Sequence, residues 1–171
     1  MAKVIIKDDR FPNRAKSKFV IEQLKVNDIN ADDEILELGS GSGWLTKQLR
    51  ARGYNITSFD KDNRADIQAD FLEYKFDKKF KVIIALEFLE HGFFTEKVIS
   101  ILEKDGILIA TFPNPRYDAL MRFLAWKGIF NSDWKYHFLE HVNLFYPEEV
   151  PLKLLRNKTL FKICYMACWK K

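Results

Sequence analysis

Only two cysteines, Cys164 and Cys168, occur in 171 residues. A disulfide framework is therefore excluded, and a zinc site would need more ligands than that pair offers. At strand spacing the two thiols lie on one face, as buried reduced cysteines do in a cytosolic protein. No apolar run reaches the length of a membrane span, and the N-terminus lacks the hydrophobic stretch of a secretory leader, so a cytoplasmic protein is expected. Repeats and low-complexity tracts are missing too. The net charge is only +4, and the Lys and Arg are scattered without a dense run, which disfavours a nucleic-acid footprint. Acids and histidines lack metal-ligand spacing, so no metal is expected. What remains, 47% apolar and 30% charged, is an ordinary globular composition at a length that suits a single domain, 1–171.

Glycines number only seven, yet three alternate in Ile35-Leu36-Glu37-Leu38-Gly39-Ser40-Gly41-Ser42-Gly43. An apolar run that ends in glycines and resumes at helical spacing reads as a buried strand, a tight turn and a helix start. The helix offers free N–H groups, and the glycines let a ligand come close to the backbone. A dinucleotide-binding G-x-G-x-x-G would need glycine at position 44, where Trp44 stands.

The rest of the chain alternates in the same way. Ala15 to Leu24 has helical spacing, and the polar loop Asn30 to Asp33 leads into a strand, Glu34 to Leu38. A helix around Leu45 and Leu49 stops at Gly53. Strands follow at Asn55 to Phe59, ending in Asp60, at Asp66 to Ala69, ending in Asp70, and at Phe80 to Leu86. After a helix at Val98 to Leu102, Gly106 opens a strand, Ile107 to Phe112. The sixth strand is expected at Leu160 to Trp169, after which the chain ends. Strands alternating with helices predict an α/β fold with a parallel sheet, its ligands beyond the carboxyl ends of the strands. Lys61 to Ala65 is too short for the usual helix between the second and third strands.

The acid-x-G-x-G-x-G pattern beginning at Glu37 resembles the first motif of the class I S-adenosylmethionine-dependent methyltransferases. Further landmarks follow in that family's order. They are Asp60-Lys61, Asp70-Phe71, Leu86-Glu87-Phe88-Leu89-Glu90-His91, the turn Leu102 to Leu108, and Phe112-Pro113-Asn114. The Leu-Glu-His ending is similar to that of small-molecule and lipid-quinone methyltransferases, and the Pro-Asn ending to methionine-biosynthesis types. The resemblance implies a Rossmann-like sheet and S-adenosylmethionine as cofactor. It assigns cofactor binding to Glu37, Gly39, Ser40, Gly41, Gly43, Asp60, Lys61, Asp70, Phe71, Leu86 and Glu87. Asp60 would accept the ribose hydroxyls, Asp70 and Phe71 would meet the adenine, and Glu37 would help hold the amino group. The complete family sheet has a seventh, antiparallel strand, for which this reading finds no residues. Asn114-Pro115 is not the N-P-P-Y box of nucleic-acid amino-methyltransferases, because that box follows strand four.

Residues 116–146 form an insertion between strands five and six. Tyr117, Leu120, Met121, Leu124 and Ala125 share a helical face there, and the segment Trp134 to Phe145 holds His137 and His141. In the family such an insertion caps the acceptor pocket, and the stretch after Glu140 resembles the one leading into the helix before strand six. Its aromatics suit an aromatic, lipidic or otherwise hydrophobic small molecule. An oxygen acceptor can need a base, and His141, His137 and His91 are the candidates, in that order. Methylation of RNA or protein, and a degenerate subunit that scaffolds a partner, are the rival readings. Nothing here tells monomer from homodimer.

Overall fold

Seven strands line up in the order β3-β2-β1-β4-β5-β7-β6. The computed structural model describes residues 11–127 and 141–171. β1 (Glu34–Leu38) is flanked by β2 (Asn55–Asp60) and β4 (Phe80–Leu86), both parallel to it. β3 (Ile67–Gln68) extends the sheet beyond β2, and β5 (Leu102–Pro113) runs parallel beside β4. β7 (Cys164–Lys170) is antiparallel to β5 and to β6 (Lys153–Leu160), so β7 alone opposes the common direction.

Alternation along the strands builds two cores. Ile35, Ile56, Ile84, Ile109 and Cys168 face α1 (Phe11–Val26), through Phe19, Val20 and Leu24, and α2 (Trp44–Arg50), through Leu45 and Leu49. Leu36, Leu38, Ile83, Leu108 and Trp169 face the other way, toward α3 (Thr95–Ile101), through Val98 and Ile101. Near-continuous apolar strands are what a sheet covered on both faces requires.

Two connections lack helices. Residues 61–66 join β2 to β3 directly, and Asp66 ties that loop down, accepting from the Ser58 N–H and hydroxyl at 2.7 Å each and from Arg50. So short a parallel crossover leaves room for only two paired residues. Between β3 and β4 aromatics cover the sheet instead of a helix: the Tyr74 and Phe76 rings each lie 5.4 Å from Phe59, the latter also 5.9 Å from Phe80.

The C-terminal third corrects the sequence reading. The segment expected as one sixth strand is the end of β6, a turn, and the whole of β7, so the seventh strand is present. The turn hid because it is built by Phe161 (φ 51°) and Lys162 (φ 66°), two residues that do not signal a left-handed turn. β6 hid because it is an edge strand, with exposed charge at Lys153 and Arg156. Among the described residues, the stretch expected to lead into a helix before β6 makes a single 3₁₀ turn instead, Pro147–Glu149.

Part of the insertion is α4 (Pro115–Trp126), opened by the Asn114 side chain accepting from the Arg116 N–H. Its buried face is Asp118, Met121 and Ala125, whereas Leu120, grouped with the inner face by the sequence reading, is 52% exposed. Ionic contacts of Asp118 account for the rotation. The remainder of the insertion, with His137, lies outside the described residues.

Candidate cofactor and acceptor site

A cleft of about 800 Å³ opens at the carboxyl ends of β1, β2 and β4. Its floor is the glycine turn. Gly39 has φ +70°, and a Cβ there would stand 2.8 Å from Phe88 Cδ2, so this residue must be glycine both for its backbone and for the ring above it. The turn is stitched to β2: the Gly39 N–H donates to the Phe59 carbonyl at 2.9 Å, and the Gly41 N–H donates to Asp60 Oδ2 at 2.7 Å. Asp60 Oδ1 accepts from the Asp62 N–H at 3.0 Å. Its carboxylate is thus held by backbone donors in the cleft wall, with lone pairs to spare.

Lys61 and Asp70 pair at 2.7 Å across the same wall, and the Lys61 hydrogen bond holds the Asp70 carboxyl below its ordinary range. Asp70 Oδ1 also accepts from the Leu72 N–H at 2.8 Å. Phe71, next in sequence, turns inward and packs edge-on against Phe88 at 5.4 Å and Phe94 at 5.5 Å, while Phe88 and Phe94 stack at 5.0 Å. One wall of the cleft is therefore carboxylate and ammonium, and the other is aromatic.

At the end of β4 the chemistry changes. Glu87 adopts φ 51°, and its Oε1 accepts from Thr111 Oγ1 at 2.6 Å on β5 and pairs with Lys16 Nζ at 2.9 Å on α1, with Cys164 Sγ 3.4 Å away on β7. Burial works against the Lys16 ammonium, but Glu87, with Cys164 and Glu90, outweighs it and raises the pKa. Burial and the Glu87 charge push the Cys164 thiol well up, and they do the same to the fully buried Glu90. Glu90 carboxyl oxygens have no hydrogen-bond partner among the described residues, while its carbonyl accepts from the N–H groups of Val142 and Asn143 at 2.9 and 3.0 Å. That docks the last part of the insertion onto the turn carrying His91. His91 lines the cleft, and the buried His141 ring stands behind it at 5.7 Å.

Of the residues singled out from sequence, Gly39, Asp60, Lys61, Asp70, Phe71, Glu87 and His91 meet in the cleft wall. Ser40, Gly41 and Gly43 shape the turn beneath it, and Gly43 begins α2 at φ 68°. The structure does not bring Glu37 or Leu86 to the wall. Glu37 points to the α2 side, where Thr46 donates to its Oε2, and burial pushes its pKa up to about 7. Lys16, Thr111 and Cys164 were not foreseen, because nothing local marks a contact between residues so far apart in the chain; Phe88 and Phe94 were not foreseen as site residues either, though Phe88 lies within the Leu86–His91 motif and Phe94 just after it.

Residues 9–151 match the methyltransferase-domain family. The chain belongs to the class I S-adenosylmethionine-dependent methyltransferases. Within this family it is 31% identical, over 136 residues, to a ubiquinone biosynthesis O-methyltransferase of Rickettsia bellii, an alignment covering 66% of this chain and 56% of the relative. The chain thus spans about half the length of the curated relatives it matches. Its fold is that of the N-methyltransferase NodS from Bradyrhizobium japonicum, solved with S-adenosylhomocysteine (TM-score 0.65, 17% identity, covering 96% of this chain and 89% of NodS). It is also that of the magnesium protoporphyrin IX methyltransferase ChlM from Synechocystis, solved with the same ligand (TM-score 0.64, 16% identity, 100% and 88%). Among the described residues, no helix is long and apolar enough to cross a membrane.

Proposed function

We propose that this methyltransferase binds S-adenosylmethionine in the cleft and methylates a small or lipophilic acceptor through oxygen. The observation that carries the reading is the cleft itself: a backbone-anchored Asp60, an inward Phe71 beside Asp70, and Glu87 and His91 at the far end, all lining one cavity. The residues fit the cofactor. Asp60 keeps acceptor sites for a diol, Phe71 and Phe88 offer flat apolar surface to a ring, and the Gly39 turn leaves backbone accessible. When bound, S-adenosylmethionine supplies a methyl group on a positively charged sulfur, which departs as a neutral thioether once an acceptor oxygen attacks in line. The protein's task is then to align the acceptor and exclude water, and to take the acceptor proton. His91, in the cleft wall, is the histidine that would take it. Phe93 (81% exposed) and Leu72 flank the cleft and would receive an apolar acceptor. The O-methyltransferase relatives support oxygen as the acceptor atom. The scaffold reading loses one of its two supports: β7 supplies the strand it took as missing, while the short β2–β3 connection still carries no helix.

Calorimetric titration with S-adenosylmethionine and S-adenosylhomocysteine, with Asp60→Ala alongside, tests the cofactor half. Binding that the substitution weakens supports the reading, and no binding by the folded chain sinks it. Transfer of labelled methyl to phenolic and to amine acceptors then separates oxygen from nitrogen.

A further inference from the structure

Asp118, on α4, is buried, and each of its carboxylate oxygens is committed. Oδ1 lies 3.0 Å from His141 Nδ1, and Oδ2 accepts from Arg122 Nε at 2.6 Å. Arg122 also reaches past it, donating from its other nitrogen to the His141 main-chain carbonyl at 2.6 Å. The three residues close a ring that ties α4 to the last part of the insertion. Ionised aspartate only accepts, so the proton between the partners belongs to His141 Nδ1, and in the neutral ring Nε2 is the basic nitrogen. His91, whose ring meets that of His141 edge-on at 5.7 Å, stands in the cleft wall.

We propose that Asp118, braced by Arg122, is a positioning residue that holds His141 as the Nδ1–H tautomer directly behind His91 at the acceptor end of the cleft. This rests on the reading that the histidines serve the acceptor side. A loose imidazole behind His91 would carry its proton on either nitrogen. The contact with Asp118 fixes the proton on one, and couples the ring packed edge-on against the cleft histidine to the docking of α4. The sequence carries a faint trace of the device in the i, i+4 spacing of Asp118 and Arg122, while the partner His141 comes from far along the chain.

Nitrogen-15 NMR of histidine-labelled full-length chain at pH 8, with S-adenosylhomocysteine present, reads the tautomer directly. Wild type should show His141 protonated at Nδ1 and bare at Nε2. In Asp118→Asn, Arg122 claims the amide oxygen, the amide NH₂ faces Nδ1, and the tautomer should reverse; Asp118→Glu should restore it. On any phenolic acceptor that wild type methylates, Asp118→Asn should lower kcat at least tenfold without weakening S-adenosylhomocysteine binding. A wild-type ring protonated at Nε2, at Nε2 alone or at both nitrogens, overturns the proposal and needs no variant. So does an unchanged tautomer in Asp118→Asn; if that variant fails to fold, an unchanged spectrum in Arg122→Gln overturns the bracing. Failure to bind S-adenosylhomocysteine, or to methylate any acceptor, counts against the proposed function, while the tautomer still decides the role of Asp118.

Discussion

The two ends of the cleft are built on opposite principles. At the ends of β1, β2 and β3 the polar groups are neighbours in the chain, stand near solvent, and are held by backbone N–H groups, as Asp60 is by Gly41 and Asp62. At the ends of β4, β5 and β7 they come from α1, the turn after β4, β5 and β7; Lys16 and Glu90 are buried and Cys164 is half-buried. The first end resembles a binding surface formed in advance, where a small ordering cost leaves affinity for the ligand. The second is a charge arrangement whose members depend on one another, so removing one strands the rest.

That contrast sets where substitutions hurt. Lys16→Met should do the most damage to stability, about 3 kcal/mol, because Glu87 and Glu90 lose their buried cation; urea denaturation reads it, and a loss under 1 kcal/mol would make the cluster a set of independent contacts. Asp60→Ala should cost less stability but weaken S-adenosylmethionine roughly 10- to 100-fold, through a charged acceptor lost to both ligand and turn. Calorimetry would show it, and equal affinity would remove Asp60 from the binding surface.

Glu37 offers a pH test between the two ends. Its pKa is raised by burial from 4.5 to about 7, so the folded chain keeps a proton that the unfolded chain releases in that interval. Stability contributed by the neutral acid is present below pH 4.5 and is lost as pH rises toward 7, by up to about 3 kcal/mol. Glu37→Gln should flatten that slope and leave the protein more stable than wild type at pH 8, by urea midpoints at pH 5 and 8. An unchanged slope would assign the pH response elsewhere.

The smallest effect belongs to the hairpin turn. Lys162→Gly should stabilise by about 0.5–1 kcal/mol by relieving a side chain at φ 66°. Because Lys162 offers its carbonyl to the Asn114 side chain at 2.8 Å, the gain should come without loss of α4. Thermal melting would register it as a small rise, and a fall would mean the Lys162 side chain has a role of its own.

These residues also show why some features were readable in advance. β1 and β4 fall where their apolar runs predict, since a strand buried on both faces leaves an unbroken signature. The glycine turn, Asp60 and Asp70 were readable for a related reason: a turn after a strand writes its demands into adjacent residues. β6 and the Phe161–Lys162 turn were missed, as an exposed edge strand has no apolar pattern and those two residues do not advertise a positive φ. The inner face of α4 was misassigned because an ion pair and a histidine, rather than Leu120, decide which way it turns.

Chain order therefore determined the alternating α/β architecture, the glycine turn and the acids at the ends of β2 and β3. Each rests on local geometry, on burial period and backbone dihedral, that neighbouring residues specify together. Tertiary structure decided that β7 enters the sheet antiparallel between β5 and β6, that Lys16 meets Glu87, and that Asp118 reaches His141. Those contacts join residues remote in the chain, and burial in low dielectric makes a charge find a partner wherever the fold brings one.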